Sequence, residues 1–238
     1  MSSSEKWMVL RLAGPMMSWR LAGRKGTKMT YDHPTLSAMV GMIMSALGGE
    51  RQDIKMTAEI ASSLRMTSFN LSRPGDGALL EDFQTVGRGM GGSASDDSGV
   101  PFTAKLNDKG EWERGRKKII TRRYYLSDGR FLVMLSGFAD KIDRYWEAIR
   151  RPQHPLFLGT HCCLCSERID MGVYESEEAA MEAISIEAKS LGLKTINREA
   201  DVDDVSQANN TLPDYPIQFG LATGGYGRRP VRDDILEV

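Results

Sequence analysis

The chain opens with a β-rich run whose side chains alternate between two faces. In residues 6–13, KWMVLRLA, Met8, Leu10 and Leu12 fall on one side and Trp7, Val9 and Arg11 on the other. Successive side chains of a strand point to opposite faces, which gives this strand its two sets. Gly14-Pro15 then stops the run, because proline has no N–H to give to a ladder. A lone strand needs partners beside it.

The rest of the sequence supplies them. Residues 16–33 are polar, punctuated by glycine, and carry Arg20, Arg24, Lys25 and Lys28, which reads as a long basic loop. Thr35 is a helix N-cap, Leu36, Met39, Val40, Ile43, Met44 and Leu47 have helical spacing, and Gly48-Gly49 ends the helix. A second, weaker helix covers 53–62. Strands are expected at 64–73 and 79–87, and a hairpin at 119–126 and 130–137 around Ser127-Asp128-Gly129. DKIDRYWEAIRR (140–151) is a helix that Pro152 terminates, followed by an extended HPLFLG. Strand, helix, strand, strand, strand, helix and extended segment together suit an α+β fold, a ferredoxin-like or RRM-like antiparallel sheet with two helices on one face.

Two segments depart from that pattern. Residues 87–118 join the low-complexity GRGMGGSASDDSG to a stretch turned by Asn107-Asp108-Lys109-Gly110. An insertion of this length in a compact domain is usually functional or disordered. After residue 160 an acidic helix (175–190) and β-like pieces at 193–198, 215–222 and 230–236 read as a smaller C-terminal α+β unit. The expected organisation is thus a domain over 1–160, interrupted at 87–118, and a small domain over 161–238.

Charge divides in the same way. The net charge is −1, yet residues 1–160 hold 24 basic and 17 acidic side chains, net +7, and residues 161–238 hold 7 and 15, net −8. A basic body with an acidic tail section points the first part towards a polyanion. At 41% hydrophobic and 26% charged the chain has globular composition. No stretch is long and apolar enough for a membrane span, and the N-terminus lacks the pattern of a signal peptide, so a cytoplasmic protein is expected.

Six segments occur in an order that closely resembles the CasD family: LRLAGPMMSW, HPTLSAMVGMIMSALG, EDFQTVG, TRRYYLSDGRFLVML and HPLFLGTHC, with a basic glycine-containing loop after the first. The resemblance runs from about residue 7 to 165. It implies the subunit of the type I-E CRISPR Cascade complex that holds the 5′ handle of the crRNA, caps one end of the backbone filament and contacts the large subunit, meeting target DNA only through the complex. It further implies an RRM-like domain whose 87–118 segment is a long β-hairpin thumb over the RNA, and no catalysis. A relative in another type I system cuts the guide precursor with a Tyr, Lys and His; Tyr31, His33 and Lys117 have the same chemistry here, so a metal-independent endoribonuclease is the alternative.

The residues suit RNA. Unpaired bases stack on flat side chains and phosphates are gripped by cations. Trp19, just past the first strand, is a candidate stacking platform or else sheet cover. Arg20, Arg24, Lys25 and Lys28 are candidate phosphate contacts, as are Arg88, Arg116, Lys117, Lys118, Arg122 and Arg123 at the two ends of the thumb, with His154 beside them. Thr35 and Ser37 open a helix whose free N–H groups make an anion site, a role that coexists with capping. Cys162, Cys163 and Cys165 with His154 and His161 invite a zinc reading, but there is no second C-x-x-C or H-x3-H pair, so no metal and no cofactor is expected and the thiols read as buried or idle. Walker A, G-x-S-x-G, H-E-x-x-H and EF-hand patterns are absent.

Overall fold

The structure is a computed structural model. It describes residues 4–20, 27–73, 75–86, 103–106, 109, 112–115, 119–218 and 225–238. The N-terminal strand β1 (Glu5–Ala13) is followed by four short strands, β2 (Met16–Met17), β3 (Trp19–Arg20), β4 (Thr27–Lys28) and β5 (Thr30–Tyr31). Helices α1 (Leu36–Ala46) and α2 (Ile54–Ser62) come next, then strands β6 (Arg65–Asn70), β7 (Leu79–Val86), β8 (Thr103–Leu106), β9 (Trp112–Gly115), β10 (Ile119–Ser127) and β11 (Arg130–Phe138). Helix α3 (Ala139–Arg150), β12 (Asp170–Tyr174), α4 (Glu177–Ser190), β13 (Thr195–Asp201), a 3-10 turn at Val205–Gln207, β14 (Asn210–Gln218) and β15 (Gly225–Glu237) complete the order.

The main sheet has seven strands in the order β12-β1-β11-β6-β13-β15-β14, every neighbouring pair antiparallel. Its first four strands are two interleaved β-α-β units. β1 and β6 are joined through α1 and α2 with β11 between them; β11 and β12 are joined through α3 with β1 between them. The alternation of β1 is used on both faces. Met8, Leu10 and Leu12 pack with Phe131, Val133 and Leu135 under α1 and α3. Val9 packs with Leu132, Met134 and the α4 residues Ala180, Ile184 and Ala188 on the other side. The run Phe131–Leu135 is continuously apolar because helices cover both of its faces.

Local signals set the helix ends. The Thr35 and Asp53 side chains accept the Ala38 and Met56 N–H groups at the starts of α1 and α2. Ser176 caps α4, with Glu177 and Glu178 in its first turn. Gly48, at φ 76°, and Gly192, also at φ 76°, follow the C-terminal ends of α1 and α4.

Three expectations differ from the fold. The extended HPLFLG is not a strand: the fourth strand of the interleaved unit is β12, further along the chain. β10 and β11 do not pair, since Asp128 at φ 53° turns the chain out of one sheet into another. β10 instead pairs with β7 from Ile119↔Val86 to Leu126↔Leu79, with β2, and in parallel with β4. β7 and β10, on either side of the 87–118 segment, therefore form one antiparallel ribbon. Within the thumb β8 and β9 pair antiparallel; the low-complexity run 87–102 lies outside the described residues. No break in the main sheet falls at residue 160. β12 takes one edge beside β1, while β13, β15 and β14 continue the sheet from β6. The edge strand β14 carries Pro213 and Pro216 with two register shifts and folds against α1 and α2.

Candidate nucleic-acid interface

The segment read as a basic loop is pinned strand by strand. β2 pairs with the end of β10, β3 with β5, and β4 lies parallel to β10 with Arg123 opposite Lys28 and Arg122 opposite Thr27. The Trp19 N–H donates to Thr30 Oγ1 at 2.9 Å, and the Ser18 N–H to the Leu158 carbonyl at 3.0 Å. In this two-residue strand Trp19 points in and Arg20 points out.

Trp19 is a core residue. It is 0% exposed and meets Phe131 edge to face with ring centroids 6.4 Å apart. This overturns its candidacy as a stacking platform, and the magnitudes say why. Burying a tryptophan removes about 150–250 Å² from water, worth roughly 4–6 kcal/mol, against about 1–3 kcal/mol for one base stack. The HPLFLG segment closes over it. Leu158 is fully buried, and Gly159, at φ 89°, runs against the Ser18 backbone. Two of the quoted motifs, LRLAGPM and HPLFLGT, thus meet in space: a Cβ on Gly14 would lie 2.8 Å from Leu158 Cδ1.

Around Lys28 the structure assembles cations. Its ammonium is pushed below the usual lysine range, first by the chain packed around it and then by Arg123, Arg20 and Arg51. Arg20, Lys28 and Arg51 are exposed and Arg123 is half-buried, its Nε without a partner among the described residues. Arg51 went unnoticed in the sequence, because it sits in the polar connection between α1 and α2, 23 or more residues from the other three. His154 is exposed and lies at the same C-terminal end of α1, where the Gln153 N–H donates to the Ala46 carbonyl at 2.9 Å. Arg122, next along β10, takes the other face. Its guanidinium stands 5.4 Å from the centre of the Phe83 ring and 3.6 Å from Glu81. Arg24, Lys25, Arg88, Arg116, Lys117 and Lys118 lie outside the described residues.

The helix-start anion site is already filled. Thr35 is 1% and Ser37 9% exposed, their hydroxyls 3.1 Å apart. The Leu36 N–H donates at 2.8 Å to Asp214, a residue of β14. Arg229 holds that carboxylate with two bonds of 2.9 and 2.8 Å, and also contacts Asp201 and Glu199. Thr35 and Ser37 are therefore structural: the protein supplies its own anion where an RNA phosphate was expected. Three carboxylates share one guanidinium in a buried place. Burial, against the pull of Arg229, raises Glu199 to about 8, and Asp201 is raised for the same reason.

The residues of the ribonuclease alternative sit elsewhere. Tyr31 and His33 line a groove of about 340 Å³ with Asp32, Asn197, Arg198, Glu199, Asn210, Asp233 and Asp234. Burial pushes the Tyr31 phenol up to about 12 and the His33 imidazole down. With Glu199 protonated, the three carboxylates Asp32, Asp233 and Asp234 against one arginine still repel a phosphodiester. Lys117 lies outside the described residues. Cys163 is buried and Cys162 exposed, and among the described residues no group of His, Cys, Asp and Glu is arranged to hold a metal ion.

The fold is one seen in CRISPR-associated proteins. A chain of a solved CRISPR RNA-guided surveillance complex superposes with a TM-score of 0.71 over 98% of this chain and 90% of that one, at 23% identity. A crystal structure of a Cas protein gives 0.60 over 97% and 95%, at 21% identity. The curated protein CRISPR system Cascade subunit CasD of Escherichia coli (strain K12) is 24% identical over 184 residues, 76% of this chain and 77% of its own length. The family model described as CRISPR-associated protein (Cas_Cas5) matches residues 7–232, and the chain belongs to that Cas5 family.

Proposed function

We propose that this chain is the subunit of a type I-E Cascade that clasps the 5′ handle of the crRNA without cutting it. In that role it caps one end of the backbone filament in the cytoplasm, touches the backbone and large subunits, and meets target DNA only through the complex. One observation carries the reading: Arg20, Lys28, Arg51 and Arg123 crowd together on one face and have no carboxylate partner among the described contacts. A lysine with three arginines around it needs an outside anion, and a single-stranded phosphate backbone supplies it. Likeness to the CasD relative supports the choice of that anion. Among the described residues no helix is long and apolar enough to cross a membrane.

Salt titration of RNA binding tests the reading. Each phosphate contact adds about 0.7 to the slope of log affinity against log salt on a single strand. Arg20→Ala with Arg123→Ala should lower the slope by about 1.4, and Arg51→Ala by about 0.7 more. Arg65→Ala, which removes a cation paired with Asp203, should leave it unchanged. A flat salt response in the unmodified protein overturns the reading. Cleavage of repeat RNA by pure protein in EDTA, abolished by His33→Ala, would establish the endoribonuclease instead.

A further inference from the structure

Of the four cations on the basic face, Arg123 alone is half-buried, and its Nε has no partner among the described residues. Asp82, opposite it across the ribbon, accepts from Gln84 Nε2 at 2.7 Å and makes no ion pair with it among the described contacts. What holds the Arg123 guanidinium is the hydroxyl of Tyr125, two residues along β10 and so on the same face. Tyr125 is buried, and its oxygen also accepts from the Cys162 thiol, with Sγ 3.7 Å away. Cys162 stands on a turn tied into the core. The Leu158 N–H donates to the Cys163 carbonyl at 2.8 Å and the Cys163 N–H to the Thr160 carbonyl at 2.9 Å, and Leu158 and Cys163 are both core residues. The motifs TRRYYLSDG and HPLFLGTHC thus meet at the Tyr125 hydroxyl.

We propose that Tyr125 is a positioning residue for RNA binding, its hydroxyl fixing the Arg123 guanidinium on the basic face before the RNA arrives. The proposal deepens the RNA-binding reading above and rests on it. An arginine side chain has many rotamers, and ordering it at the moment of binding subtracts from affinity. A buried hydroxyl that accepts from the guanidinium has ordered it in advance. Arg123 is opposite Lys28 in the parallel pairing of β10 with β4, so the ordered charge stands beside that of the lysine. The chemistry of the holder matters as much as its place. A carboxylate at this point would fix the arginine and cancel its charge. The phenol fixes it and stays neutral, since burial and then the Cys162 thiol push its ionisation above the ordinary tyrosine range. The whole positive charge of Arg123 is left for phosphate.

A double-mutant cycle in the full-length protein tests this, with affinity for a labelled single-stranded RNA carrying the repeat-derived leader as the readout. Tyr125→Phe keeps the buried ring and removes only the hydroxyl. It should weaken binding about fivefold, the factor for ordering one rotamer-rich side chain. The slope of log affinity against log salt should stay that of the unmodified protein, because no charge is lost, whereas Arg123→Ala should lower it by about 0.7. Added to Arg123→Ala, Tyr125→Phe should weaken binding no further. An equal loss in both backgrounds would mark Tyr125 as merely structural and overturn the proposal, as would a Tyr125→Phe variant that binds like the unmodified protein. In the protein without RNA, nitrogen-15 relaxation of the Arg123 side chain should show a rigid guanidinium that becomes mobile in Tyr125→Phe, and equal mobility in the two proteins also overturns the proposal. Failure of the unmodified protein to bind RNA overturns the RNA reading, and the relaxation measurement still decides whether the hydroxyl orders Arg123.

Discussion

Gly159 holds φ 89°, a region that side chains disfavour, and a Cβ there would fall 1.8 Å from the Ser18 carbonyl oxygen. The residue lets HPLFLG lie flat over Trp19. Gly159→Ala should therefore cost about 3 kcal/mol, read as a lower urea midpoint at unchanged slope. Loss of RNA binding in that variant should track unfolding, because Gly159 adds no charge to the basic face. Single residues also set which cations are available. Arg20 and Arg123 both act on Lys28, with Arg123 opposite it in the parallel pairing, while Arg122, one residue along, rests against Phe83 and Glu81. A one-residue step along a strand thus separates the basic face from the ribbon face.

Helix α1 is the element on which both ends of the chain converge. Its first turn is capped by Thr35 and by Asp214, which Arg229 holds in place. Its last turn faces Arg51 and the Gln153–His154 segment. Asp214→Ala should destabilise the protein by roughly 3 kcal/mol, since it strips Arg229 of a buried partner and leaves the Leu36 N–H unsatisfied. Asp214→Asn should cost less, because the amide oxygen still accepts from Leu36. Thermal melts of the two variants check the order. The same element explains part of the acidic surplus after residue 160: Glu199, Asp201 and Asp214 are spent inside the fold, on Arg229.

For the whole molecule, that buried cluster sets a pH dependence. Glu199 keeps its proton up to about 8 in the fold, against an ordinary carboxylate value of 4.5 in the unfolded chain. Between those values the folded state binds the extra proton, so stability is full below 4.5 and falls as pH rises towards 8. The loss approaches about 1.4 kcal/mol per pH unit for one proton. Asp201 is raised as well and acts in the same direction. Melting temperatures measured from pH 5 to pH 9 should decline, and Glu199→Gln should remove most of the decline. A flat profile would show that the carboxyl is ionised throughout.

The periodicities determined what is local. The two faces of β1, the cap Thr35, the ends at Gly48 and Pro152 and the acidic helix all follow from neighbours within a few residues, and each was legible in the sequence. Alternation says which face a side chain takes, not which strand lies beside it. Only the tertiary structure decided that β10 turns away from β11, that β12 rather than HPLFLG completes the interleaved unit, and that Trp19 is core. Long-range partners chose the site as well. Asp214 reaches the start of α1 from 178 residues away, and Arg51 joins Arg20, Lys28 and Arg123 from a connection that looked merely polar. The reason is physical: a helix cap is set by hydrogen bonds within one turn, whereas a charge cluster depends on which distant segments the packed core brings together.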